Sequence, residues 1–248
     1  MLVLLPPSET KAAGGDGPPL DLHALCFPEL GPVRADLVDT LVSLAADLPA
    51  SLDALRLSAR QADEVDRNAK LRDAPTMPAL ARYTGVLYDA LDAGGMTSAE
   101  WGRACRRLAV ASALFGVVRG GDPIPAYRLS AGSSLPGVGA LRRVWRPALE
   151  PVLSTVDDLV VDLRSGAYAA LARVPHAVTV RVVTEDGDGR RKAVSHHNKA
   201  HKGRLARALA TTRKEPADVA DLVRTAAAAG LRLEATGDRA LDLFARAS

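Results

Sequence analysis

The residues with the most chemistry to offer sit in one basic block. Between Arg190 and Lys214 the chain carries nine Lys/Arg, three His and no acid, leaving 23 basic and 29 acidic residues elsewhere. A basic block on an acidic body marks a localised anion-binding face. The other reading is a solvated helix face beside a charged hairpin, and charge alone does not choose between them. On a helical wheel Leu205 and Leu209 share one side, Lys199, Gly203, Arg204 and Arg207 fill the other, and Lys202 lies at the border. A helix that buries its leucines would present those cations outward. Gly203 costs about 1 kcal/mol of helix propensity. Its bare backbone suits the close approach of a ligand or of another helix, and both readings stand.

Three further groups could carry chemistry. Leu135-Pro136-Gly137-Val138-Gly139, followed by Arg142 and Arg143, resembles the hairpin of a helix-hairpin-helix DNA-binding motif. There Gly137 and Gly139 would free backbone N–H groups for a phosphate, and the following helix would add its positive end. Residues 130–134 are poor helix formers, so an ordinary Pro-Gly turn is the alternative. Arg119, Asp122, Tyr127 and Arg128 crowd a Gly/Pro loop after a buried strand, where they line a cleft or pair among themselves. His197 and His201 share a helix face at i, i+4, as metal ligands can. Asn198 stands where the zinc-protease motif has Glu, and Lys199 and Lys202 repel a cation, so no metal is assigned. The chain has no G-x-G-x-x-G after a strand, no P-loop and no G-x-S-x-G. The common nucleotide-binding and hydrolase classes drop out, and no cofactor is assigned.

The elements that must position these groups follow from periodicity. Residues 1–5 read as a buried strand and 13–19 as a Gly/Pro loop. Helices are expected over 36–48, 52–70, 78–91 and 98–114, then a short strand at Val117-Val118. A Gly/Pro/Ser stretch over 119–139 leads to a helix over 139–153 and a strand over 158–163. Strands 177–184 and 190–196 flank Asp186-Gly187-Asp188-Gly189, a hairpin signal. Helices over 199–209 and 216–229 follow, the second stopped by Gly230, and a final antiparallel pair spans 231–235 and 240–245. No repeat or linker interrupts the 248 residues, which predicts one α+β domain. Aromatics are only 4% of the chain, so the core must be Leu, Val and Ala. No apolar run approaches the ~18 residues of a membrane span. The opening apolar stretch is too short for a signal peptide and lacks a basic start. Cys26 and Cys105 have no C-x-x-C spacing, which predicts a reducing, cytoplasmic setting without a disulfide framework.

Several segments, in order along the chain, carry a family likeness: MLVLLPPSETK at 1–11, Tyr83–Tyr88, LFGVVRGGDPIPAYR at 114–128, Trp145, Val161–Tyr168 and Ser195–Leu205. Together they resemble the YaaA family of peroxide-stress proteins. The resemblance implies a mixed sheet surrounded by helices, a helix-hairpin-helix, binding to double-stranded DNA, and a role in limiting damage from intracellular iron under hydrogen peroxide. Lys11, Arg119, Tyr127, Arg128, Lys199 and Gly203 fall on matching positions. Lys202 replaces an Arg, which keeps charge and loses bidentate geometry. Asp162 replaces an Asn, and Lys199-Ala200 replaces a double lysine.

Two expectations follow, and a third is weaker. The first is a DNA-binding stress protein, with phosphates held by Lys199, Lys202, Arg204 and Arg207 and by N–H groups near Gly137 and Gly139, hence little sequence specificity. The second is an enzyme acting on a small anionic substrate, a nucleotide or phosphorylated metabolite. Its cleft would be lined by Lys11, Arg119, Tyr127, Arg128 and Lys199, with Tyr127 or a lysine of lowered pKa as acid or base. The third is iron handling by His196, His197 and His201. No membrane partner is expected, and no oligomeric state is assigned.

Overall fold

Leu2–Leu5 is apolar at every position because both of its faces are covered, the pattern of a central parallel strand. The structure is a computed structural model that describes residues 1–187, 189–194 and 198–245. Eight strands build its central sheet: β1 (Leu2–Leu5), β2 (Leu108–Ser112), β3 (Gly116–Arg119), β4 (Val160–Asp162), β5 (Val178–Glu185), β6 (Arg191–Ala193), β7 (Leu233–Gly237) and β8 (Ala240–Phe244). Their order is β7-β8-β5-β4-β1-β2-β3, with β6 also paired to β5. β1 is parallel to β2 on one side and to β4 on the other. β4 and β8 run parallel to β5. The pairs β2–β3, β5–β6 and β7–β8 are antiparallel. The sheet is therefore mixed, with helices packed around it, and the expected α+β class holds. Among the described residues no helix is long and apolar enough to cross a membrane.

The expected helix over 98–114 is corrected. It stops at Arg107, and Leu108–Ser112 becomes β2, beside β1 at the heart of the sheet. The run Leu-Ala-Val-Ala-Ser is buried throughout, and such a run carries no period that separates helix from strand. Two other expected helices are split. The stretch over 52–70 divides into Leu48–Leu55 and Ala62–Ala69, parted where Arg56 turns left-handed and Ser58 opens a capping box. The stretch over 78–91 yields Ala79–Arg82 and Val86–Leu91. Between these two, Tyr83 bridges to Lys11, and Gly85 adopts φ +96°, a value that favours glycine.

Gly137 and Gly139 turn a two-residue antiparallel ribbon, Ser134–Leu135 against Gly139–Ala140, and the helix Leu141–Ser154 follows at once. The chain before the ribbon is extended or turned, with no helix from Pro125 to Ala140. The helix that would open a helix-hairpin-helix is not present before the ribbon. In the helix that follows, Trp145 is fully buried, and its indole N–H donates to the Ala113 carbonyl at 2.7 Å. A Cβ at Gly116 (φ +74°) would fall 2.6 Å from that indole ring, so the β2–β3 turn requires glycine on two counts.

Candidate functional site: a cleft at the carboxyl ends of β1 and β4

β1 and β4 are neighbours that end side by side, and the chain reaches β2 and β4 on opposite flanks of β1. In open sheets with parallel strands, ligands bind outside the carboxyl ends at such a switch point. The loop after β1 supplies Ser8, Glu9 and Thr10. The loop after β4 supplies Ser165, and the short helix Gly166–Ala169 that follows supplies Tyr168. The helix Val86–Leu91 adds Tyr88, and the first turns of the helix Asn198–Thr211 add Lys199 and Lys202. Together they enclose a cleft of about 600 Å³.

Lys202, expected at the border of the helix's outward face, is half-buried and lines the cleft, donating to the Leu163 carbonyl at 2.9 Å and the Arg164 carbonyl at 3.3 Å. Burial lowers its pKa, opposed by Asp162. An ammonium has three N–H donors, so one remains for a ligand. Lys199, three residues earlier, is exposed at the rim.

Lys11 lies behind the Ser8–Thr10 loop. Its Nζ donates to the carbonyls of Ser8 (3.1 Å) and Glu9 (3.3 Å) and sits 4.2 Å from the Tyr127 ring centroid and 5.4 Å from that of Tyr83. Such placement over ring faces is favourable for a cation. Burial, with Arg128 adding repulsion, lowers its pKa to about 7. The Tyr127 hydroxyl is 2.8 Å from that of Tyr83 and 2.7 Å from that of Ser112. Ser112 in turn accepts from the backbone N–H groups of Leu114 and Phe115. Burial drives both phenols upward, so they stay neutral. Tyr127 thus supports Lys11 from within the core and is no acid or base for the cleft. Arg128 pairs with Glu9 at 3.0 Å, and the Asn68 amide brackets its backbone N–H and carbonyl.

The other sequence candidates do not join this site. Arg119 lies across from Ala109, near the amino end of β2, where it donates to the Arg106 carbonyl and faces the Phe27 ring at 5.5 Å. Asp122 caps backbone N–H groups of Arg119 and Cys26. Gly137, Gly139 and Arg142 belong to the separate ribbon and helix. Gly203 is a helix–helix contact: a Cβ there would fall 2.2 Å from the Leu87 carbonyl oxygen. No ligand can approach at that point. Arg207 caps the end of the helix Val86–Leu91, donating to the Leu91 carbonyl at 2.9 Å and pairing with Asp92 at 3.1 Å. Arg204 is exposed and lines a second cavity, of about 1060 Å³, with Arg207, Glu185, Arg232 and Phe244. The basic helix therefore divides its cations between two sites. His201 lines that second cavity, and His196 and His197 lie outside the described residues. Among the described residues no three His, Cys, Asp or Glu gather as a metal site. Cys26 and Cys105 are free thiols.

Sequence reasoning missed Glu9, Thr10, Thr84, Tyr88 and Tyr168 as cleft residues. The available signal was Ser8-Glu9-Thr10, a polar triplet placed directly after an apolar strand and two prolines.

A mixed sheet with a lysine-rimmed cleft at the ends of two adjacent parallel strands defines the class, an α+β protein with a preformed small-molecule-sized cleft. The chain belongs to the family described as peroxide stress protein YaaA, whose match covers residues 1–236. It is 50% identical to a UPF0246 protein of Corynebacterium efficiens over 94% of this chain and 95% of the relative. A UPF0246 protein of Corynebacterium glutamicum is 47% identical over the same shares. One of Streptomyces coelicolor is 45% identical over 95% of this chain and 92% of its own.

Proposed function

We propose that the cleft binds a small anionic ligand and that this binding is the protein's contribution to a cytoplasmic peroxide-stress response, the role carried in its family's name. One observation carries the reading. Lys199 and Lys202 leave one helix to edge a cleft of about 600 Å³ at the carboxyl ends of β1 and β4. That volume falls among small-molecule pockets, about 300–1,000 Å³. Lys202 is held in place by two carbonyls, so little ordering remains when an anion arrives. Titrating ethyl phosphate into the protein by calorimetry tests this. Binding should weaken with salt and drop at least about tenfold in Lys199→Glu, the loss of one charge-assisted contact. Absence of binding, or equal binding by the variant, would overturn it.

A second reading, contact with duplex phosphates, is favoured by the ribbon. Gly137 and Gly139 have φ of +74° and +81° with open space beside them, and Arg142 and Arg143 are exposed on the helix that follows. An Arg142→Glu/Arg143→Glu variant should bind duplex DNA more weakly and with a shallower salt dependence. Undiminished binding would count against this surface.

A further inference from the structure

The cleft holds a feature that a site for a bare anion would not need. Glu9 places a carboxylate in the same cavity as Lys199 and Lys202. Arg128 fixes it through Oε2 at 3.0 Å. A carboxylate repels an anion beside it, yet it is an ideal acceptor for two neighbouring hydroxyl donors. The same cavity holds the hydroxyls of Ser8, Thr10 and Thr84. Thr10 Oγ1 is 3.1 Å from both Ser8 Oγ and Thr84 Oγ1. Hydroxyls can rotate to donate or accept, so the trio suits a polyhydroxylated partner. Gly85 lies against them. A Cβ there would sit 3.4 Å from Ser8 Oγ and 3.5 Å from Thr10 Oγ1, so the glycine itself puts no side chain against the group. Tyr88 and Tyr168 also line the cavity, and aromatic side chains suit the C–H surface of a sugar.

The cleft thus has two poles. The hydroxyl-and-carboxylate pole follows β1. The ammonium pole reaches the end of β4 through Lys202. Both poles open into the one cavity of about 600 Å³, a size that suits one phosphorylated sugar. We infer that the ligand is a sugar phosphate, its vicinal diol donating to Glu9 within the Ser8–Thr10–Thr84 hydroxyl group and its phosphate held by Lys199 and Lys202. The inference rests on the anion-binding reading above and adds the second pole. The sugar phosphate could be free or the ribosyl phosphate of a nucleotide.

Calorimetry with ethyl phosphate, ribose 5-phosphate and adenosine 5′-monophosphate tests the second pole separately from the first. Ribose 5-phosphate should bind at least about tenfold tighter than ethyl phosphate, the worth of one good hydrogen bond to a charged group. Glu9→Gln should erase that advantage. Glu9 is 69% exposed in its side chain, so the change leaves the fold intact. Thr10→Val, with an unchanged melting temperature, should cut the advantage independently. Tighter binding of the adenosine compound than of ribose 5-phosphate would identify a nucleotide as the source, and the reverse a free sugar phosphate. Equal affinity for ethyl and ribose phosphates, or an advantage that survives both variants, would overturn the diol pole while leaving the anion site standing. No binding by any of the three would remove both.

Discussion

The long loops between β1 and β2 are pinned by arginines, whereas the cleft at the ends of β1 and β4 is edged by lysines. Arg34 and Arg82 are wholly buried, and each points its fork at backbone carbonyls. Arg34 donates to Cys26, Phe27, Phe115 and Val117, and Arg82 to Ala12, Gly14, Pro75 and Ile124. Each therefore uses four of its five donors on chain segments far apart in sequence. Burial lowers the pKa of both, yet a guanidinium stays charged at any working pH. Lys202 also donates to two carbonyls, but it does so at the wall of an open cavity with a donor to spare. Cations of equal charge thus serve different ends. The planar fork joins loops in the core, and the compact ammonium leaves capacity for a ligand.

The largest effect should come from breaking a staple. Arg82→Met would leave four carbonyls without their donor, each worth about 1–3 kcal/mol when buried and unsatisfied. Part of that is recovered as the loops relax, and a loss of at least about 3 kcal/mol in urea unfolding is expected. A loss under about 1 kcal/mol would show that the loops hold without the arginine and would dissolve the contrast with the cleft. Gly203→Ala comes next. Its Cβ meets the Leu87 carbonyl at 2.2 Å and Ala90 Cβ at 2.9 Å, both on the neighbouring helix. Overpacking of this kind costs about 1–3 kcal/mol. Unchanged stability with lost phosphate binding would restore the ligand-approach reading of Gly203.

Much of this framework is legible in the sequence. The strand ends near Leu5 and Asp162, the antiparallel pairing of β5 with β6 and the helix carrying Lys199 and Lys202 all follow from periodicity and turn chemistry. β2 does not, because Leu108–Ser112 carries good helix formers in a fully buried run, and pairing with β1 and β3 makes it a strand. Within the site, Lys11 and Arg128 stand out in the sequence and their partner Glu9 does not. The sequence marks which residues are charged. It does not mark which are already engaged, and Arg207 and Arg119 spend their donors on carbonyls chosen by the fold. The same gap explains why a basic block read as one surface resolves into two cavities and a helix cap.

Lys11 sharpens the comparison from the other side, as a lysine buried like the arginines. Its ordinary pKa of 10.5 falls to about 7 in the fold. Between those values the unfolded chain binds the proton that the folded chain has released, so wild-type stability gains with rising pH. Lys11→Met lacks this group. The stability of wild type relative to that variant should therefore rise from about pH 7 toward pH 10, by at most about 1.4 kcal/mol per pH unit. A flat difference would mean that Lys11 keeps its proton, held by the Ser8 and Glu9 carbonyls and the faces of Tyr83 and Tyr127.

The smallest stability effect belongs to the residue expected to matter most for binding. Lys199 is exposed at the rim of the cleft, and no carbonyl or carboxylate of the described residues holds its ammonium. Lys199→Glu should shift the unfolding free energy by no more than about 0.5 kcal/mol, as surface changes away from packed features do. Its loss of phosphate affinity should be many times larger in free energy than that shift. Such a separation is the signature of a group whose charge is directed at a ligand. The arginine staples should show the opposite pattern, with stability falling and anion affinity changing only through it. If Lys199→Glu instead destabilises the fold as much as it weakens binding, the rim lysine is one more structural cation, and the distinction between the two regions fails at the point where it is most exposed to test.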